Sequence, residues 1–171
     1  MIPLKNKKKT LEITIEEMRN FAFNYIEKFA PSKQQLKTYL LKKYIKSKIS
    51  NLKKSNIIDL IDITLEDLEK SKFINDKFYS ESKAKSLIQR GSSINKIRNY
   101  LINKGVGEKY IKNTIEQIKD KNEDQDFFSA IKICKKKRIG PSRQEDNRPL
   151  FYKKDIGVLA RSGFDFEVSR R

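Results

Sequence analysis

At 171 residues the chain has room for one large domain or a few small bundles, and its 37% hydrophobic and 36% charged residues are about what helices with one buried stripe require. The absence of histidine removes the commonest general base and metal ligand, and a single cysteine excludes an internal disulfide. Lys+Arg 39 against Asp+Glu 22 leaves a net charge of +17, which points to polyanions or acidic protein surfaces as partners.

The chain opens on Met1-Ile-Pro-Leu-Lys-Asn-Lys-Lys-Lys9, charged and with no apolar run after it. Residues 1–14 therefore read as a basic disordered arm rather than a secretion signal, and no apolar run approaches the ~20 residues that cross a bilayer. A cytoplasmic location is the expectation. Ile15, Met18, Ala22, Tyr25, Ile26 and Phe29 step by three and four, predicting a helix over about 14–29. Pro31 stops it. Ser32 and Gln35 then form a Ser-x-x-Gln capping box for a second helix, with Leu36, Tyr39 and Leu40 as its buried face. The lysines from Lys28 to Lys54 stand with no acid among them. Ile58, Ile61, Leu65 and Leu68 mark a third helix, on which Asp59, Asp62, Glu66, Asp67 and Glu69 form a solvated flank rather than a metal site.

Phe73-Ile-Asn-Asp76 ends that helix and caps a fourth, with Phe78, Ala84, Leu87 and Ile88 as its apolar members. Arg90-Gly91-Ser92-Ser93 closes it on a left-handed glycine and opens a fifth helix on a serine cap, with Ile97, Tyr100 and Leu101 buried. Lys104-Gly105 ends the fifth, and Val106, Tyr110, Ile111, Ile115 and Ile118 define a sixth over about 108–120. An acidic linker follows from Asp120 to Asp126, without the Gly and terminal Glu of an EF-hand loop. Phe127, Ala130, Ile131 and Cys134 place a seventh helix, in which Cys134 is a small core residue rather than a reactive thiol. A second acid-free basic run holds Lys132, Lys135, Lys136, Lys137, Arg138 and Arg143. Beyond Arg138-Ile-Gly-Pro141 a polar loop runs to Pro149, an eighth helix lies near 150–162, and Asp165 caps a last helix expected to be short or truncated at Arg171.

Two blocks of the chain match at one offset. Ser32, Leu36, Tyr39, Leu40 and Lys43 fall on Ser93, Ile97, Tyr100, Leu101 and Lys104, each 61 positions on. A fainter third copy puts Leu159, Gly163 and Phe164 under Leu101, Gly105 and Val106. The predicted fold is all-α: a basic arm at 1–14, then three-helix repeats over 15–73, 74–122 and 123–171, docked in sequence into an elongated curved helical array.

The ordered segments Ser32-Lys-Gln-Gln-Leu-Lys-Thr-Tyr-Leu-Leu-Lys-Lys43, Phe73-Ile-Asn-Asp-Lys-Phe78, Arg90-Gly91, 97–106, Arg138-Ile-Gly-Pro141 and Leu159-Ala-Arg-Ser-Gly-Phe164 together resemble the RecX family, from about residue 15 to the end. The resemblance implies three tandem three-helix repeats and a cytoplasmic bacterial regulator that binds the RecA recombinase filament. Such a regulator lowers strand exchange, ATP hydrolysis and co-protease activity, and so modulates DNA repair, recombination and the SOS response. The chain departs from the family pattern at Tyr44, where the second repeat has Gly105, at Tyr79, where a small Ala is usual, and in its short last helix.

No P-loop, dinucleotide fingerprint or Cys/His zinc set is present, so neither enzyme chemistry nor a cofactor or metal is expected. The candidate partner contacts are basic residues near helix ends and turns: Lys42, Lys43, Arg90, Arg98, Lys104, Arg138, Arg143 and Arg161. The expected partners are the RecA filament and single- or double-stranded DNA along the basic face, met by a monomer with no membrane attachment. The alternative is an autonomous basic helical DNA- or RNA-binding protein, with helix 93–104 entering a groove.

Overall fold

The computed structural model describes residues 13–46 and 54–171. Most of the basic arm, and Lys48 and Lys53 of the first lysine run, lie outside the described residues. The all-α expectation holds: among the described residues there are nine α-helices, two 3-10 turns and no strand. In chain order the helices are α1 (Ile15–Phe29), α2 (Lys33–Lys46), α3 (Lys54–Lys70), α4 (Asp76–Gln89), α5 (Ile94–Asn103), α6 (Glu108–Lys121), α7 (Gln125–Lys137), α8 (Arg148–Arg161) and α9 (Phe166–Arg170). The chain divides into two compact units, Met1–Asn75 and Asp76–Arg171.

In the first unit α1, α2 and α3 pack on one another around Met18, Leu36, Leu40, Tyr44, Ile61 and Leu65. Thr14 starts α1 by accepting the Glu17 N–H at 3.2 Å, and Glu16 and Glu17 complement the helix dipole in the first turn. The capping box of α2 is formed in both directions: Ser32 Oγ accepts the Gln35 N–H and Gln35 Oε1 accepts the Ser32 N–H, each at 3.2 Å. Tyr44 does not end α2 as Gly105 ends α5. The helix runs on to Lys46, and the Tyr44 ring is buried edge-on to Phe21.

The second unit holds two further helix triplets. α4, α5 and α6 enclose Tyr79, Ala84, Ile97, Leu101, Val106 and Ile111, with Thr114 Oγ1 donating to Ser80 Oγ at 3.0 Å inside this core. In the last triplet α9 and the turn Gly140–Ser142 pack on both α7 and α8, around Ala130, Cys134, Ile139, Leu159 and Phe164. α5 and α8 end alike. Gly105 and Gly163 have φ of +69° and +86°, and the next residue's N–H reaches back to Leu101 O and Leu159 O at 3.1 and 3.2 Å. That pairing is a left-handed helix stop, and it needs a residue without Cβ strain.

Several expectations shift. Phe78 is 71% exposed and its neighbour Tyr79 is buried instead, as Ile57 is in place of Ile58. Phe29 is exposed at the end of α1, its ring against Tyr25. The expected linker 120–126 is mostly helix: α6 runs through Lys121 and α7 begins at Gln125. α8 starts at Arg148, two residues early, because Pro149 suits the first turn of a helix and the turn Glu145–Asn147 leads directly into it. Asp165 stands at the start of α9 but gives it no side-chain cap; its Oδ1 accepts from Asn95 Nδ2 at 3.3 Å.

Candidate interaction surface

The cations selected from sequence fall into three environments. Lys42, Arg90, Arg138 and Arg161 are exposed at or near the C-terminal ends of α2, α4, α7 and α8. Lys43, Lys104 and Arg98 are partly covered: Lys43 Nζ lies 3.5 Å from the Phe21 ring centroid, Lys104 Nζ 5.4 Å from that of Tyr100, and Arg98 pairs with Glu108 at 3.3 Å. An ammonium over a ring face keeps its charge outward while its stem covers apolar surface, so Lys43 and Lys104 serve packing and surface charge together.

Arg143 belongs to the framework. Its Nε and Nη2 donate to Asp155 Oδ2 and Oδ1 at 2.9 and 2.8 Å, and the Gly140 N–H donates to the same carboxylate at 2.8 Å. The Arg143 hydrogen bonds hold the Asp155 carboxyl below the ordinary carboxylate range against the opposing effect of burial. A second arginine, Arg148, donates to Arg143 O and Pro141 O at 3.1 and 3.0 Å, so residues 139–148 are strapped across the start of α8. Sequence reading put Arg143 among the partner contacts because charge and turn position are visible there, and a carboxylate partner twelve residues on is not.

The N-terminus of α5 is covered by the third triplet. Ser93 Oγ accepts the Lys96 N–H at 3.2 Å and donates to Ser162 O at 2.9 Å, Asp126 Oδ1 accepts the Ile94 N–H at 2.8 Å, and Asn95 Nδ2 donates to Gly163 O at 3.2 Å. A recognition helix presents its N-terminal residues to base edges. Here those residues are occupied inside the protein, which leaves the groove-reading role assigned to helix 93–104 without its contacting end.

In the first unit the acids of α3 form ion pairs: Arg19 with Asp67 at 2.7 Å, Lys33 with Glu69 and Lys37 with Asp62 at 2.6 Å. These pairs are largely solvated, so each adds little stability. In the second unit Asp126 and Asp155 are turned to the backbone and Arg143, while Lys135, Lys136, Lys137 and Arg138 are exposed at the end of α7. The outward face of α7 is therefore cationic. It carries one more cation near Arg90, since a Cβ at Gly91 would lie 3.1 Å from Lys132 Cβ.

The described residues hold no group of three or more Asp, Glu or Cys side chains that fits a metal ion, and no helix long and apolar enough to cross a membrane. Cys134 is buried and without a disulfide, and burial, then Asp155, pushes its thiol above the ordinary value. A thiol so placed is a poor nucleophile.

Over 171 residues the chain is 28% identical to the regulatory protein RecX of Myxococcus xanthus (strain DK1622), a match covering 96% of this chain and 88% of that protein. The crystal structure of RecX from Lactobacillus salivarius has a TM-score of 0.66 to it at 19% identity, over 91% of this chain and 92% of that one. A second crystal structure, of regulatory protein RecX, has a TM-score of 0.59 at 18% identity, over 91% and 71% of the two chains. No family model matches the chain. The resemblance carried by the ordered caps and turns thus recurs in a nearly full-length sequence match, and the helical fold recurs in two solved structures.

Proposed function

We infer that this chain, similar to RecX proteins in sequence and fold along nearly its whole length, belongs to the RecX family and regulates the RecA recombinase by binding its filament. It restrains strand exchange, ATP hydrolysis and co-protease activity in the cytoplasm, as a monomer, and catalyses nothing itself. The observation that carries this reading is the 28% identity to a regulatory protein RecX over 96% of the chain.

The physical basis is a protein of net charge +17 with exposed cations at or near the ends of α2, α4, α7 and α8, while Asp126 and Asp155 are held in internal bonds. Residues 15–73, 74–122 and 123–171 act as successive repeats, each placing basic side chains at its helix ends toward a polyanionic partner. In the first unit Lys42 is the contact, supported by Lys43; in the second unit Arg90, Arg138 and Arg161 are the contacts, supported by Arg98 and Lys104. Positive charge steers association with the filament and any DNA it holds, and the tie weakens as salt rises.

RecA ATPase on single-stranded DNA, titrated with this protein, tests the reading. Hydrolysis falls with added protein. Unchanged hydrolysis, together with equal binding to DNA with and without RecA, overturns the reading and favours an autonomous nucleic-acid binder.

A further inference from the structure

Phe21, Tyr25 and Phe29 recur every four residues, so their rings lie in a row along α1. α2 extends the row sideways: Tyr39 stacks on Tyr25 with 4.2 Å between centroids and 12° between planes, and Tyr44 meets Phe21 edge-on at 6.4 Å. Phe29 leans on Tyr25 at 4.8 Å. The buried core of this unit lies deeper, around Met18, Ala22, Leu36 and Leu40, and the row climbs away from it. Tyr44 is buried, Phe21, Tyr25 and Tyr39 are partly buried, and Phe29 is 53% exposed. At 1.5 Å per residue the stretch from Phe21 to Phe29 is about 12 Å long.

Lysines border the row. Lys28 Nζ stands 5.4 Å from the Phe29 centroid and Lys43 Nζ 3.5 Å from that of Phe21, and Lys42 is exposed about one turn along α2 from Tyr39. Lys33 and Lys37 are spent on acids of α3, whereas Lys28, Lys42 and Lys43 pair with no carboxylate among the described residues. The acids of α1 do not cancel them. Glu17, one turn before Phe21, keeps its Oε2 buried, and Glu27, two residues before Phe29, lies on the opposite side of the helix.

We propose that this aromatic row on the first unit binds single-stranded nucleic acid directly. One base stacks on Phe29 with its phosphate at Lys28, and the strand runs along the row toward Lys42 and Lys43. Every base has a π face, so stacking on a protein ring accepts any sequence, and cations beside the rings meet the backbone. An acidic peptide uses the lysines but brings no planar ring at each step to extend the stack. A duplex keeps its bases in its own stack, so the row favours a single strand. Lys42 and Lys43 are shared with the filament reading; Phe29 and Lys28 are not.

The test is fluorescence anisotropy with the full chain and a labelled oligothymidylate, against an abasic oligomer of the same length and charge. The oligothymidylate binds roughly tenfold tighter, the contribution of stacking one base. Phe29→Ala removes that advantage while the melting transition stays in place, because the ring sits at the exposed end of α1. Phe29→Tyr, which keeps an aromatic face, retains it. Equal binding of the two oligomers overturns the proposal, as does an unchanged ratio between them in Phe29→Ala. A matched duplex that competes as well as the single strand also overturns it, and so does polyglutamate that competes as well, which makes an acidic protein the occupant. RecA is absent from the assay and Phe29 is not a filament contact, so the outcome is separate from that of the filament reading.

Discussion

Arg143 holds Asp155 below the ordinary carboxylate range, whereas burial pushes the half-buried Asp126 above it despite the Ile94 N–H. The two signs give opposite responses to acid. Asp155 contributes stability that is fully present above its unfolded value and lost as pH falls through its folded value; Asp126 disfavours the fold when ionised and relieves that penalty as pH falls through its raised value. Asp155→Asn therefore lowers the urea midpoint at neutral pH and flattens its fall in acid, while Asp126→Asn, which keeps an oxygen for Ile94, shifts the profile the other way. Unfolding curves across the acid range check both. Leu40 and Leu101, fully buried at matching positions, each cost about 2–5 kcal/mol when cut to Ala, and an unchanged urea midpoint would refute their placement. Both leucines are legible from periodicity alone, because Leu36 and Leu40, or Ile97 and Leu101, repeat at helical spacing. Ile57–Ile58 and Phe78–Tyr79 are not: each pair offers the core two adjacent apolar residues, and tertiary packing selects one.

At the scale of the element, local chemistry explains why caps and stops were readable. Ser32 with Gln35, Ser93 with the Lys96 N–H, and Gly105 and Gly163 at helix ends all act within a few residues of themselves. Long-range partners are not readable in the same way: Asp126 accepts the Ile94 N–H from 32 positions back, and Arg143 donates to Asp155 twelve positions on. The two glycines of the α8 region separate backbone need from mere absence of a side chain. A Cβ at Gly163, at φ +86°, would come 2.7 Å from Ser93 Oγ, whereas one at Gly157 meets only the mobile Arg161 guanidinium at 3.4 Å. Gly163→Ala is expected to lower the melting temperature through strain of ~1–2 kcal/mol and displacement of Ser93. Gly157→Ala raises stability by about 0.5–1 kcal/mol through helix propensity. Thermal melts of the two variants check the order.

Over the whole molecule, the charge of +17 and the all-helical class were evident in composition, and the fold likeness to RecX followed from motifs in order. The interaction surface was less evident, because sequence counts cations without showing which are spent. Under the proposed function, replacing the exposed Arg90, Arg138 and Arg161 together by Glu is expected to weaken inhibition of RecA ATPase and its salt dependence while the melting transition stays in place; unchanged inhibition moves the proposed contact elsewhere. The closure of α5 by residues of the last triplet also bears on synthesis. Ser93 waits for Ser162, 69 positions later, and Ile94 for Asp126, 32 positions later. As the chain leaves the ribosome, the core of the first unit is complete once Ile74 is made, while the start of α5 waits for Asp126 and then Ser162 to follow. The Ile94 amide is therefore expected to exchange with solvent when α7 lifts from the start of α5, whereas the Lys96 amide keeps its local Ser93 acceptor.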